Sequence, residues 1–222
     1  MKSFLILVLL SALSFMASAQ NQFGILPVIN TTIKLQNEWK INTKLEGRQL
    51  LKQHPIPKDE NERIFERADL EVVANKALNS AGDLGFGYLL RRQEGKFVHR
   101  FIQQYAYTKK LYSSRLSHRF RTDETFEQDE AVQLRLRYRA SWEKPLNGLK
   151  VDPKEYYLKF NNEYLASLQD SKGNLEIRGL AALGYTINKD NRIETGADYR
   201  MEKVFTHLQH KLFLSIGFYH NF

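Results

Sequence analysis

The sequence predicts an all-β protein, an antiparallel up-and-down transmembrane β-barrel of about ten to twelve strands. Three observations lead to this prediction. Apolar and polar residues alternate along many segments, turn-forming residues separate these segments, and an apolar leader is followed by no second run of 18 apolar residues. An exported chain of this kind is either soluble or crosses a membrane with alternating strands, which hydropathy detects poorly.

The composition sets outer bounds on the class of protein. The chain has 222 residues, 42% of them hydrophobic, with a formal net charge of +8 and no cysteine. This apolar content excludes a disordered chain and suits one domain. The lack of cysteine excludes disulfide scaffolds, thiolate zinc sites and cysteine nucleophiles.

The N-terminus has the features of a secretory signal peptide. Lys2 precedes an uncharged apolar stretch, Phe4–Ala19, which ends in the small residues Ala17-Ser18-Ala19. The stretch is short for a membrane span of about 20 residues. We therefore predict a signal peptide at 1–19, cleaved near Ala19, and an outer-membrane β-barrel at 20–222.

The clearest strand pattern runs from Val132 to Glu143. Val132, Leu134, Leu136, Tyr138, Ala140 and Trp142 share one face, and Gln133, Arg135, Arg137, Arg139, Ser141 and Glu143 share the other. This is a period of two, whereas a helical period would spread the arginines around the cylinder.

The same alternation, taken in chain order, predicts eleven strands. Turn signals such as Asn79-Ser80, Pro145–Gly148 and Asn188–Asn191 separate them. The strands lie at about 24–36, 39–51, 64–75, 82–93, 97–108, 112–122, 129–143, 155–168, 175–187, 192–203 and 208–222.

The apolar faces are predicted to point outward, into lipid. The strands have the length that a tilted membrane strand needs, and a soluble barrel of eleven strands would be too wide for side chains to fill. A lipid-facing arginine at mid-depth costs about 2–4 kcal/mol, so the arginines must face the lumen. His118 is the exception, because it falls on the lipid face between Leu116 and Phe120.

The aromatic residues and the C-terminus support this orientation. With a periplasmic C-terminus, one girdle of aromatics borders the periplasmic turns: Trp39, Tyr107, Trp142, Tyr156 and Tyr185. The terminal Phe222, in phase with Phe218, is similar to the signal read by the outer-membrane assembly machinery, although His220 departs from that pattern.

The strand count conflicts with the even number that is usual in bacterial barrels. Either the alternation pattern does not reveal one further strand, or the segment 24–36 is not a full strand. Pro27, in that segment, suits an edge strand or a strand start.

The predicted lumen carries charges of both signs. Its polar residues are Arg48, Arg67, Glu71, Arg115, Arg119, Arg135, Arg137, Arg139, Glu163, Arg178, Glu194 and Arg200, accompanied by Glu46, Asp69, Arg91, Arg100, Arg121, Glu176 and Asp198. Two interpretations remain open, a self-neutralised interior of arginine–carboxylate pairs and a basic constriction that admits anions.

No catalytic, cofactor or metal site is predicted. Ser117 and His118 are adjacent and point to opposite faces, and Ser215 and His220 also differ in parity. His207 and His210 lack a third ligand for zinc. We therefore predict that the protein is not an enzyme, with an outer-membrane lipid hydrolase as the weakest alternative.

Six segments have a distinctive strand pattern: Trp39–Arg48, Val98–Gln104, Ser114–Arg121, Leu134–Arg139, Asn162-Glu163 and Arg178–Tyr185, the last with Gly184-Tyr185. Together they resemble an uncharacterised outer-membrane family of Gram-negative bacteria, known only as a domain of unknown function. The resemblance covers most of the mature chain. It implies a barrel and supplies no activity, substrate or site.

The predicted function is that of an outer-membrane barrel, structural or forming a narrow pore with an Arg/Glu-lined lumen. The alternative is a soluble exported β-barrel that binds an apolar ligand. Expected partners are outer-membrane lipid, the assembly machinery and lipopolysaccharide, whose phosphates basic loop residues would contact. These residues are Lys52, His54, Lys58, Arg63, Lys96 and Lys203. Export argues against nucleic acid as a partner.

Overall fold

The computed structural model describes residues 20–54 and 65–222. They form eleven strands: β1 Gln20–Lys34, β2 Trp39–His54, β3 Arg67–Ala77, β4 Gly82–Gln93, β5 Lys96–Lys110, β6 Arg115–Glu127, β7 Gln133–Pro145, β8 Tyr156–Gln169, β9 Lys172–Thr186, β10 Asn191–Glu202 and β11 Gln209–Asn221. The predicted signal peptide at 1–19 lies outside the described residues, as do Lys58 and Arg63. No helix long and apolar enough to cross a membrane occurs in the described ranges.

The strands close into one barrel, which confirms the predicted all-β barrel fold. Each strand is antiparallel to its neighbour in sequence, and β1 closes the sheet by pairing in parallel with β11. The expectation of a missed strand or a partial first strand was wrong. β1 is a full strand of 15 residues, and a parallel seam allows an odd number of strands to close.

Pro27 lies inside β1 and not at an edge or a strand start. It is level with Ile216 of β11, but the β1–β2 register skips Leu26 and Pro27. Proline has no backbone N–H to donate, so the β1–β2 ladder is interrupted at this point. Gly47 of β2 lies against it: a Cβ on Gly47 would be 3.2 Å from the proline ring.

The strands are strongly staggered around the barrel. Followed from Lys34 through each ladder in turn, the register returns to β1 near Gln20, a stagger of about 14 residues. Such a stagger requires tilted strands. As a result, side chains that are far apart in register lie at similar depth and can meet inside the barrel.

The two faces of the sheet differ in chemistry as the alternation predicted. Leu134, Leu136 and Leu214 lie on the outer face, with Leu136 59% exposed. The intervening Arg135 and Arg137 face the barrel interior, where they form ion pairs. The sheet thus has an apolar outside and a charged inside.

The barrel has two rims. The C-terminal rim carries the turns 35–38, 78–81, 111–114, 146–155 and 187–190, together with the chain end. There the Phe222 amide donates to the Thr32 carbonyl at 2.8 Å. The N-terminal rim carries the start of β1, the end of β2, the start of β3 and the connections 94–95, 128–132, 170–171 and 203–208.

Candidate functional site in the barrel interior

The barrel encloses a cavity of about 640 Å³ with a mostly charged wall. Among the described residues, the wall includes fifteen lysines and arginines but only nine aspartates and glutamates. Five of these arginines stand on β6 and β7 alone: Arg119, Arg121, Arg135, Arg137 and Arg139. The wall therefore carries an excess of positive charge, concentrated on one side.

Glu163 on β8 is the centre of the largest charge cluster. Its carboxylate accepts hydrogen bonds from Arg137 at 2.9 Å and Arg139 at 3.1 Å. Arg178 and Arg119 approach it at 3.5 and 3.8 Å. Four guanidinium groups thus share one buried carboxylate, which can neutralise only one of them.

A second charge cluster links strands that are not adjacent in the sheet. Both Nη atoms of Arg121 donate to the two carboxylate oxygens of Glu71, at 2.9 and 3.0 Å. Arg121 also donates to Gln104, whose amide donates to Asn75 at 2.7 Å. Glu71 lies on β3 and Arg121 on β6, so this bidentate pair ties together strands that are not neighbours.

Asp123 lies behind the arginines of β7. It is 1% exposed, accepts a hydrogen bond from Arg135 at 2.9 Å and has Arg137 at 3.6 Å. Asp123 is not among the residues that line the cavity, whereas both arginines are. The negative charge is therefore screened from the cavity by its own partners.

On the N-terminal side of the interior, positive and negative charges are more evenly balanced. Arg48 contacts Glu66 at 3.2 Å, and Lys211 contacts Glu202 at 2.9 Å. Burial alone would raise the pKa of Glu66, but the positive charges of Arg48, Lys211 and Arg67 outweigh it and hold that pKa below its usual value.

The ring of Phe213 lies beside two arginines at this depth. The guanidinium groups of Arg48 and Arg200 lie 5.0 and 5.1 Å from the ring centroid of Phe213, which is fully buried. This distance is within the range of cation–π contacts. Leu26 and Leu50 pack against the same ring and form the small apolar core of the interior.

A tyrosine–glutamate cluster lies on the C-terminal side of the interior. The Tyr157 hydroxyl donates to Glu194 at 2.8 Å, and the Lys159 ammonium donates to both oxygens of this carboxylate at 2.8 Å. A Cβ on Gly184 would lie 2.2 Å from the Tyr157 ring, so only glycine lets the ring lie against β9.

Several polar side chains on the outer face are paired with each other. The His118 Nδ1 and the Tyr138 hydroxyl lie 2.8 Å apart, which explains how the histidine is accommodated between Leu116 and Phe120. Tyr88 with His99 and Tyr199 with His210 repeat the arrangement at 2.5 and 2.6 Å. Thr122 likewise donates to Gln103 at 2.6 Å.

The structure brings most of the sequence-predicted lumen residues together around the cavity. Those that line it are Arg48, Arg67, Glu71, Arg119, Arg135, Arg137, Arg139, Glu163, Arg178 and Arg200. Arg115 stands at the C-terminal rim, where it bonds Glu143 at 2.9 Å, and Glu194 belongs to the tyrosine cluster.

The five girdle residues Trp39, Tyr107, Trp142, Tyr156 and Tyr185 all lie on the outer face near the C-terminal rim. Tyr156 and Tyr185 are register partners with ring centroids 4.8 Å apart. Phe222 lies at the same rim, 68% exposed, with its ring against His220.

The serine and histidine positions form no pair for catalysis. The Ser117 hydroxyl bonds Thr108 at 3.0 Å, whereas the neighbouring His118 bonds Tyr138 on the outer face. His210 bonds Tyr199, and His220 bonds Asn191. No group of three potential metal ligands occurs in the part of the chain that the structure describes.

Several interior residues were missed from the sequence. Asp123 continues the inward parity of β6 but fell one residue beyond the predicted strand end at 122. Phe213, Tyr157 and Tyr219 are aromatic residues that face inward, and an apolar-out pattern gives no signal for them. Lys211 lies two residues before Phe213 on β11, so it faces inward with it. The alternation along β11 could have identified it as an interior residue.

A family model described as "Protein of unknown function (DUF2490)" matches residues 23–211. The chain belongs to this family. The match spans nearly the whole barrel and confirms the resemblance to a family of unknown function. Neither the curated proteins nor the solved structures give a match. The activity of this DUF2490 domain therefore has to be argued from its own side chains.

Proposed function

We propose that this DUF2490 domain is an outer-membrane β-barrel whose outer face contacts lipid and whose interior is a narrow, arginine-lined passage. The observation that carries the proposal is the division of side chains between the two faces. Large apolar residues cover the outside, whereas Arg121, Glu163 and the other buried charges point inward. A soluble barrel would bury the apolar face and expose the charged one.

The outer polar groups also suit a lipid environment. A hydrocarbon layer offers no water to an unpaired polar group, so such groups must be satisfied internally. The Tyr138–His118, Tyr88–His99 and Thr122–Gln103 contacts satisfy these six side chains in this way. The alternative, a soluble barrel that binds an apolar ligand, fits less well, because the cavity wall is mainly Arg, Lys, Asp and Glu.

The test of membrane placement is fractionation with gel mobility. The proposal expects the protein in the outer-membrane fraction after carbonate washing, and a faster gel band before boiling than after it, because a barrel resists the detergent until heated. Recovery in the osmotic-shock fluid, with a single heat-independent band, would reject it.

A passage for anions is favoured by the charge excess of the cavity wall. Rings of arginine and lysine select anions in narrow pores. Reconstituted into a planar bilayer under a salt gradient, the protein is expected to show a reversal potential of anion-selective sign. Arg135→Ala should reduce that potential. A reversal potential of cation-selective sign that Arg135→Ala does not change would reject the anion passage and favour a structural barrel.

A further inference from the structure

One sector of the cavity wall carries three arginines, of which one has no carboxylate partner within the described residues. Arg91 on β4, Arg100 on β5 and Arg135 on β7 all line the cavity. The stagger of the sheet places them at similar depth. Arg91 is the register partner of Val98, two residues from Arg100 on β5. Arg100 is the partner of Thr125, two residues from Asp123, which is the partner of Arg135. We call the three arginines the arginine triad.

Within the triad, Arg100 differs in its partners. Arg91 bonds Asp69 through two contacts of 2.7 Å, and Arg135 bonds Asp123 at 2.9 Å. Arg100 is 3% exposed, and its one hydrogen bond among the described residues runs from Nε to the neutral Thr125 hydroxyl at 2.9 Å. A buried guanidinium without a counter-ion is costly and calls for an anion.

The nearest negative charge does not fill this role. Asp123 is already shared by Arg135 and Arg137, and it lies behind the cavity wall. Arg100 lines the cavity between the strands of Arg91 and Arg135, and its hydrogen bond to Thr125 uses Nε, so its Nη atoms are available to an anion that enters the cavity. Guanidinium groups match the oxygens of phosphate in pairs, and several of them suit a multivalent anion.

We propose that the arginine triad binds a small multivalent oxyanion of the phosphate type inside the barrel. The site goes beyond the proposed membrane role, because its geometry belongs to the interior and does not depend on what covers the outside. Free phosphate and a phosphomonoester group present the same oxygens, and the cavity has room for either.

The test is calorimetric titration of the folded full-length barrel in detergent at low ionic strength. Inorganic phosphate and glucose 6-phosphate are the two probes, and sodium chloride at equal ionic strength is the reference. We expect saturable binding of phosphate at one site, with at least tenfold weaker affinity in Arg100→Gln. Tighter binding of glucose 6-phosphate would assign a phosphomonoester as the ligand, and equal or weaker binding would assign free phosphate.

The matched control is Arg92→Gln, which removes the same charge from the outer face of β4. It should change the affinity less than twofold. Equal loss in both variants, or no saturable heat in the wild type beyond that of chloride, would overturn the site.

If Arg100→Gln does not fold, the wild-type protein still decides the question. Phosphate should raise its melting temperature in a saturable manner that chloride does not reproduce. No such rise would reject the site. A protein that needs no detergent but binds phosphate at Arg100 would contradict the membrane proposal alone.

Discussion

At the residue scale, the His118–Tyr138 pair tests whether the outer polar groups depend on each other. Tyr138→Phe removes the hydroxyl and leaves the imidazole without its partner. In lipid vesicles the variant should unfold in urea with about 1 kcal/mol less stability, the cost of an unpaired polar group. Tyr164→Phe is the control, because Tyr164 is the register partner of Tyr138, lies exposed on the same outer face and does not take part in the described tyrosine–histidine pairs.

The double variant His118→Leu/Tyr138→Phe should recover most of the loss, since both polar groups are then gone. A loss in Tyr164→Phe as large as that in Tyr138→Phe would contradict the pairing account.

Glu163 is the interior carboxylate that four arginines share. Glu163→Gln removes the shared negative charge and leaves Arg137, Arg139 and their neighbours to repel one another. Breaking a buried ion pair in this way costs about 3–5 kcal/mol, so the urea midpoint should fall steeply or folding should fail.

Glu124→Gln is the matched control for Glu163→Gln. Glu124 lies exposed on the outer face of β6, and removing its charge should leave stability in lipid unchanged or slightly raised. Equal destabilisation by the two substitutions would show that Glu163 has no special role in the interior.

At the element scale, the parallel seam between β1 and β11 is the feature that closes the odd-numbered barrel. Ile29 and Phe218 are register partners across it, and both face outward. Because the chain has no cysteine, the variant Ile29→Cys/Phe218→Cys should form one disulfide under mild oxidation, seen as a mobility shift that reducing agent reverses.

The control pair Ile29→Cys/Ile193→Cys places the second cysteine one strand further away, on β10. It should not cross-link, because two strand spacings of about 4.8 Å exceed the reach of a disulfide. Cross-linking of the control, or of neither pair, would contradict the seam.

The sequence could predict the strands and their faces but not this seam. Alternation such as that at Val132–Glu143 shows which side of a strand is apolar, and a barrel with an apolar outside and a charged inside requires it of every strand. It carries no record of which strand lies next to which. For the same reason the β1–β11 pairing and the full length of β1 were not foreseen.

The partners of the interior ion pairs could not be predicted from the local sequence either. Parity predicted that Arg121 and Glu71 both face inward, yet their bidentate contact joins β3 to β6. That contact depends on the stagger around the whole barrel, which no local segment encodes. The absence of a carboxylate at Arg100 could likewise be recognised only once the partners of Arg91 and Arg135 were known.

At the scale of the whole molecule, the barrel consists of an apolar outer surface around a charged interior with more cations than anions. Among the described residues, many interior charges lie in ion pairs, and the excess of cations lies mainly on the β4 to β7 side. The proposed anion passage and the proposed phosphate site both rest on that excess.

The central claim, that the outer face contacts lipid, is tested most directly by tryptophan fluorescence. Trp39 and Trp142 are the two tryptophans of the chain, and both lie on the outer face near the C-terminal rim. In vesicles, lipids brominated near the headgroup should quench their emission strongly, and lipids brominated near the chain ends should quench it less, since aromatic girdles lie at the interface. Emission unaffected by any brominated lipid, from protein that stays in the aqueous phase, would contradict the account.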